Sequence, residues 1–348
     1  MQLPVLSTSS TAQVTSPVHF QATTNSSSTI TGYVIYVDNQ NVYQNYATSL
    51  DAWVVLSSGN HNVHVSAWDA TNTKYTAPDT QSDYVLSVTG FAAPTAPANA
   101  TQIVNIDQPS SGYWTVDNSG GAGGQCSSGG SIGSFSSSSD PDTGNPPASG
   151  VGQHFLLNSQ CQYNNTLFYW KDPAAPSQAD TNFLWDFWFY IPTSTQSINI
   201  QALEFDFFEA LPMSDGVHEF MFGSQCNYAS NQWQLWLDSG GKLSWVNAAS
   251  PCEFSTGSWH HATYFLQRVT PTGYPIIPAS PDSSTDTNSY LRFGTVTIDG
   301  NTTYFGDVAY STSQSSWSPA LGVQHQLDSR VSGITIEQYV TQESVTVW

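Results

Sequence analysis

Three carboxylates fall within six residues in the segment QALEFDFFEA, Gln201 to Ala210: Glu204, Asp206 and Glu209. Only 9% of the 348 residues are charged, so this grouping stands out from the rest of the chain. Carboxylates placed together can do two kinds of chemistry. One acid can protonate the leaving oxygen of a glycosidic bond while another attacks the sugar or activates water. Alternatively, the same oxygens can hold a hard divalent cation. The residues between the acids, Phe205, Phe207 and Phe208, are strand formers. Side chains alternate along a strand, so Glu204 and Asp206 share one face while Leu203, Phe205 and Phe207 point to a core. Glu209 is out of step by one residue. A β-bulge at Phe207 or Phe208 is expected to return it to the acidic face.

Other residues could complete a site. In NFLWDFWFYI, Asn182 to Ile191, the residues Phe183, Trp185, Phe187 and Phe189 form one face. Asp186, Trp188 and Tyr190 form the other, which matches the acidic face in character and is expected to join it. Trp188 and Trp236 are the expected sugar-stacking residues, because sugar CH faces pack on indole rings. Trp236 shares its face with Gln232 and Gln234, whereas Trp185 and Trp233 read as core. His260 and His261 are adjacent, so in a strand they face opposite ways and cannot chelate one ion together. His261, with Thr263 and Gln267, is expected to line the cleft. The expected substrate contacts are thus Trp188, Trp236, Asp186, Gln234 and His261. No G-x-S-x-G elbow frames any serine, so no Ser-His-Asp site is read.

Positioning such residues requires a sheet, and the chain reads as sheets throughout. Residues 13–92 alternate apolar and polar in short runs such as ITGYVIYVD and HNVHVSAWD, with Asp38 to Asn41 as a hairpin tip and Ser57 to Asn60 as a second turn. About seven short strands over such a length fit a sandwich. The Pro/Ala stretch Ala92 to Thr101 reads as a stiff linker, giving domains at 1–92 and 102–348 with the linker at 93–101. Gly120 to Gly150 is expected to be a long surface loop. From Phe155 onward the strands are longer and more aromatic, which suggests two large packed sheets, a jelly roll.

Net charge is −20, from 26 acids against 6 Lys and Arg, which argues against nucleic acid or an anionic membrane as partner. Aromatic side chains with few charges suit a β protein that handles neutral sugars, so a polysaccharide is the expected partner. No apolar run is long enough to span a bilayer. Met1 is read as standing where an export signal has been removed, and a secreted chain is expected. Cys126, Cys161, Cys226 and Cys252 lack zinc-site spacing and allow three pairings. Proximity in sequence favours Cys126–Cys161 and Cys226–Cys252, in keeping with an oxidising compartment.

The run GYVIYVDNQNVYQ followed by LSSGNHNVHVSAWDA resembles bacterial immunoglobulin-like modules, which are often spacers or docking units. The order ALEFDFFE, SWHHATYFLQR and FGTVTIDGNTTYF resembles the concanavalin A-like lectin and glucanase superfamily, over roughly Ile103 to Trp348. Within it, retaining glucanases carry E-x-D-x-x-E. That resemblance implies Glu204 as nucleophile, Asp206 as its tuner and Glu209 as acid/base in β-glucan hydrolysis, with no cofactor. Legume lectins carry V-E-F-D-T instead, which implies a calcium and manganese site from Glu204, Asp206, Asp215 and His218, although Ala210 stands where their calcium-binding Asn would be. Lectins have no use for an acid at Glu209, so that residue discriminates between hydrolase and sugar-binding module. A structural surface protein is the third reading.

Overall fold

Alternating apolar and polar runs separated by turn residues make antiparallel strands, and this computed structural model is built almost wholly from them. It describes residues 12–15, 18–23, 29–54, 56, 59–69, 74–75, 83–89, 95–108, 113–117, 132–139, 151–174, 177, 179–213, 216–238, 243–249, 251–269, 290–305, 308–310, 312–313 and 318–348. The chain divides after residue 94 into two compact units.

In the first unit the strands are β1 Ala12–Thr15, β2 Val18–Ala22, β3 Ile30–Val37, β4 Gln40–Asn45, β5 Leu50–Val54, β6 Gly59–Asp69, β7 Lys74–Tyr75 and β8 Asp83–Thr89. One sheet has the order β1-β8-β6-β3-β4 with β7 on β6, and β2 pairs with β5. Phe20, Tyr33, Ile35, Ala52, Val65 and Leu86 meet in its core. Asp38 and Asn39 take φ of 50° and 67° between the paired Val37 and Gln40. Both central residues of a two-residue hairpin turn need positive φ, which Asp and Asn tolerate. The second expected turn begins at Ser57 and Ser58, which lie outside the described residues.

The second unit contains β9 Thr101–Ile103, β10 Trp114–Asp117, β11 Ile132–Ser139, β12 Val151–Ser159, β13 Asn165–Asp172, β14 Asn182–Tyr190, β15 Ile200–Met213, β16 Gly216–Phe222, β17 Ser224–Asn227, β18 Gln232–Asp238, β19 Leu243–Ala249, β20 Trp259–Val269, β21 Tyr290–Ile298, β22 Asn301–Tyr304, β23 Val308–Tyr310, β24 Thr312–Ser313, β25 Ala320–Ser329 and β26 Ile334–Val347. Two large sheets result. The first runs β10-β13-β25-β15-β17-β18-β19, with β16 also on β15 and β24 on β16. The second runs β11-β12-β26-β14-β20-β21-β22, with β9 on β26 and β23 on β21. Their inner faces meet in an aromatic core: Phe183 packs on Phe207 at 5.0 Å between ring centroids, Phe189 on Phe205 at 5.2 Å and Phe222 on Phe293 at 5.8 Å. Trp185 and Trp233 are buried there, as their faces predict.

Two expectations change. The stretch expected as a loop contains an edge strand, β11, whose Phe135 packs against the core although most of its neighbours are Ser. The rest of Gly120 to Gly150 lies outside the described residues. More important, β15 carries no bulge at Phe207 or Phe208. Its register with β25 is unbroken from Ala202 opposite Asp328 to Ala210 opposite Ala320. Alternation therefore keeps Glu209 on the same side as Phe205 and Phe207, inside the sandwich.

Cys226 on β17 bonds to Cys252, tying the first sheet to the segment that leads into β20. Cys161 is also disulfide-bonded, while Cys126 lies outside the described residues. Among the described residues no helix is long and apolar enough to cross a membrane.

Candidate functional site

The outer face of the first sheet carries a groove of about 610 Å³. Its floor is set by register. Gln326 of β25, Glu204 of β15, Gln225 of β17, Gln234 of β18 and Asn247 of β19 stand opposite one another in a row across five strands. At the usual spacing between strands this row spans roughly 19 Å. A neighbouring row runs Tyr169, Gln324 and Asp206, and continues past Gly223 to Trp236 and Trp245. Tyr163, Asn165, Glu219, Asn227 and Asp328 also line the groove.

Hydrogen bonds fix the floor. Gln326 Nε2 donates to Glu204 Oε1 and, at 2.9 Å, to Asp328 Oδ1. Gln324 Nε2 and the Ser224 N–H donate to the two oxygens of Asp206 at 2.6 and 2.9 Å. Gln234 accepts from Asn227 at 3.0 Å and donates to Asn247 at 2.8 Å. Trp236 and Trp245 lie side by side with centroids 5.1 Å apart, both half-buried. Gly223 makes room for Trp236: a Cβ there would sit 2.7 Å from the Cβ of Trp236.

Glu204 and Asp328 share one donor, the Gln326 amide, which brings two like charges together and opposes the ionisation of both. Burial, then the nearby charges of Asp328 and Asp206, holds Glu204 well above the ordinary carboxylate range. Burial likewise pushes Asp206 up to about 8, against the pull of the Ser224 N–H, and Asp328 up to about 6. Perturbed acids at the bottom of a groove mark it as the candidate site.

The expected residues divide among three places. Glu204, Asp206, Gln234 and Trp236 line the groove. Glu209 does not: it is fully buried, with its Oε2 3.2 Å from Arg268 Nε, because the missing bulge leaves it facing the core. Trp188, Asp186 and His261 are also absent from the groove. They stand on the outer face of the second sheet, where His261 stacks on Trp188 at 4.6 Å and contacts Asp186 at 3.0 Å. Their mixed polar and aromatic character matched that of the acidic face, but β14 and β15 belong to opposite sheets, so their outer faces point away from each other.

The lectin-type metal set does not assemble either. His218 is opposite Leu211 on the core-facing side of β16, one residue out of step with Glu219, which faces the groove. Asp215 lies outside the described residues. Among the described residues no group of three or more His, Cys, Asp or Glu is placed to hold a metal ion.

His260 faces inward, its Nδ1 2.7 Å from Asp299 and its Nε2 2.9 Å from the Ser255 carbonyl. Ser255 Oγ is 3.3 Å from the same Nε2. The order of atoms is that of a Ser-His-Asp triad, yet both ring nitrogens face acceptors, so the ring pins a loop and leaves no base for Ser255. Sequence reasoning found Gln234 but missed Asp328, Gln225, Gln324 and Gln326. The one available signal was the alternation of Gln324, Gln326 and Asp328 along LGVQHQLDS.

No protein-family model matches the chain, and no curated protein matches it. Several solved structures are similar to it at low scores. A carbohydrate-binding module of the β-sandwich superfamily has a TM-score of 0.32 and 10% identity, covering 91% of this chain and 85% of its own. A family 11 carbohydrate-binding module from Clostridium thermocellum, solved with a β-1,3-1,4-mixed-linked tetrasaccharide, gives 0.31 and 10%, covering 72% and 96%. Arcelin-5, a lectin-like defence protein from Phaseolus vulgaris, gives 0.34 and 11%, covering 72% and 99%. The functional reading therefore rests on the groove alone.

Proposed function

We propose that this is a secreted carbohydrate-binding protein whose second unit holds an extended glycan chain across the strands of the first sheet. The observation that carries this reading is the row Gln326, Glu204, Gln225, Gln234 and Asn247, with Trp236 and Trp245 alongside it. Amides and acids donate to and accept from sugar hydroxyls, and indole faces take the CH surfaces. Among the described residues the lining includes no Lys, Arg or His, which disfavours uronic-acid or sulfated chains. The first unit, with its resemblance to immunoglobulin-like modules, serves as a spacer or docking module.

Affinity electrophoresis against cellulose-derived, mixed-linkage and β-1,3-glucans tests the reading. Trp236→Ala should weaken binding by about 2 kcal/mol, roughly thirtyfold, as for a central aromatic anchor. Gly223→Ala should weaken it too, by displacing Trp236, and should also lower the melting temperature, because the atom it meets is the Cβ of Trp236, which moves only with its strand. Unchanged affinity in Trp236→Ala would remove the groove from consideration.

Retaining hydrolysis through Glu204 and Glu209 has no support, since only Glu204 is in the groove. One observation favours hydrolysis of another kind as the second reading. Glu204 and Asp206 share a face two residues apart, a Cα spacing of roughly 6.6 Å, within the range over which two carboxyls can flank a glycosidic bond. Release of reducing ends by wild type and its loss in Glu204→Gln would support it.

A further inference from the structure

The groove floor carries more acid than neutral sugar recognition needs. Glu204, Asp206 and Asp328 lie together, and Glu219 joins them at one side. Among the described residues the cation beside the groove is Lys171, which interacts with Glu219 and sits over the rings of Tyr169 and Phe208 at 4.8 and 5.3 Å. The donors to the other three acids are neutral: the Gln326 amide to Glu204 and Asp328, and the Gln324 amide and Ser224 N–H to Asp206. Donors of this kind satisfy the hydrogen bonds of carboxyl oxygens without supplying charge. Acids crowded without a cation resist ionisation, and a ligand carrying positive charge relieves that resistance. The net charge of −20 acts in the same direction over longer range.

We propose that the groove prefers glycans bearing free amino groups, a deacetylated hexosamine chain being the fitting class, with a ring stacked on Trp236 and its ammonium directed at the Glu204, Asp206 and Asp328 carboxyls. This rests on the reading of the groove as a glycan site and adds the charge of the ligand to it. Binding such a chain converts carboxyls to carboxylates, so protons leave the protein as the amine enters. No carbon–carbon, carbon–oxygen or carbon–nitrogen bond changes: an ammonium group takes the place of the carboxyl protons as the positive partner.

Three β-1,4-linked oligosaccharides of equal length test the proposal, because they differ chiefly at one position of each ring. Cello-oligosaccharide carries hydroxyl there, the chitin oligomer acetamide and the glucosamine oligomer ammonium. Titration calorimetry of the full chain at about pH 6, where amines are protonated, should show the glucosamine oligomer binding at least about tenfold more tightly at low salt. The ratio should fall toward parity at about 1 M salt, where screening is nearly complete at contact distances. Repeating the titration in buffers of different ionisation enthalpy should reveal proton release with the glucosamine oligomer and none with the cello-oligomer. Asp328→Asn should lower the ratio of the two affinities.

Equal or tighter binding of the cello- or chitin oligomer overturns the amine preference and leaves the glycan groove standing. Tight glucosamine binding that ignores salt and survives Trp236→Ala overturns the preference as well, because the chain then binds elsewhere. If none of the three binds and the glucan panel above is also negative, the glycan reading itself fails.

Discussion

Arg268→Met should destabilise the second unit by about 3–5 kcal/mol, the loss typical when one partner of a buried ion pair is removed. Arg268 is 1% exposed, and its guanidinium contacts Glu209, donates to the Asp180 carbonyl at 2.7 Å and lies over the Phe220 ring. Met fills much of the same volume but leaves the Glu209 carboxyl in the aromatic core without its counter-charge. Burial, with a smaller push from Asp180, raises Glu209 to about 8 even against the opposite pull of Arg268. Without Arg268 that pull is lost, and the carboxyl resists ionisation to still higher pH. Glu209→Gln should be destabilising too, through an uncompensated Arg268. Combining the two should regain part of the loss, so that the double variant is more stable than the sum of the singles predicts. Urea unfolding followed by tryptophan fluorescence would measure this, and additive effects would show that the pair does not act as a unit. The same variants separate structure from function. Folded Glu209→Gln protein should bind glycan as wild type does, and any release of reducing ends should survive the substitution, which a catalytic acid/base at this position would forbid.

The reversal at Glu209 shows where the sequence could be read and where it could not. Alternation placed Phe183, Trp185, Phe187 and Phe189 in a core and put Glu204 and Asp206 on one outer face, because a period of two is a local property of the strand. A bulge is not local: it depends on how the partner strand registers, and β25 pairs with β15 without interruption from Ala202 to Ala210. The resemblance to E-x-D-x-x-E supplied a reason to expect the bulge, but Arg268, 59 positions further along, supplies the reason an acid is tolerated without one. Sheet membership is non-local in the same way. The faces bearing Trp188 and Trp236 looked alike in composition, yet strand order assigns them to opposite sides of the sandwich. Asp328 went unread because its single acid gains meaning only when β25 lies beside β15.

Stability should fall as pH rises from about 4 to about 8, the reverse of the usual acid sensitivity. Asp107 and Asp328 are raised to about 6 in the folded state and Asp206 to about 8, each chiefly by burial, with Glu343 adding to the effect at Asp107. An acid raised above its unfolded value binds its proton more tightly when folded. The folded state then holds more protons than the unfolded state between the two values, and stability decreases with pH there. The contribution is fully present below the unfolded value of about 4. It is lost through about 6 for Asp107 and Asp328, and on to about 8 for Asp206. Self-repulsion from the net charge of −20 adds a loss of the same sign. Asp107 is buried beneath the second sheet, where it accepts from the Glu343 N–H at 3.0 Å, and Glu343 in turn contacts His325 and accepts from Trp185. That network lies on the core side of β25, opposite the face of Gln324 and Gln326, so Asp107 can be varied without touching a groove residue. Asp328→Asn and Asp107→Asn should each make the fall between about pH 4 and 6 shallower. Both should leave the fall that runs on to about pH 8, which belongs to Asp206 and Glu209 together with Glu204. Thermal melts of the full chain across this range decide the matter: a melting temperature that climbs from pH 5 to pH 8 would mean that these acids are ionised and compensated in the fold, and the amine preference would lose its physical basis with them.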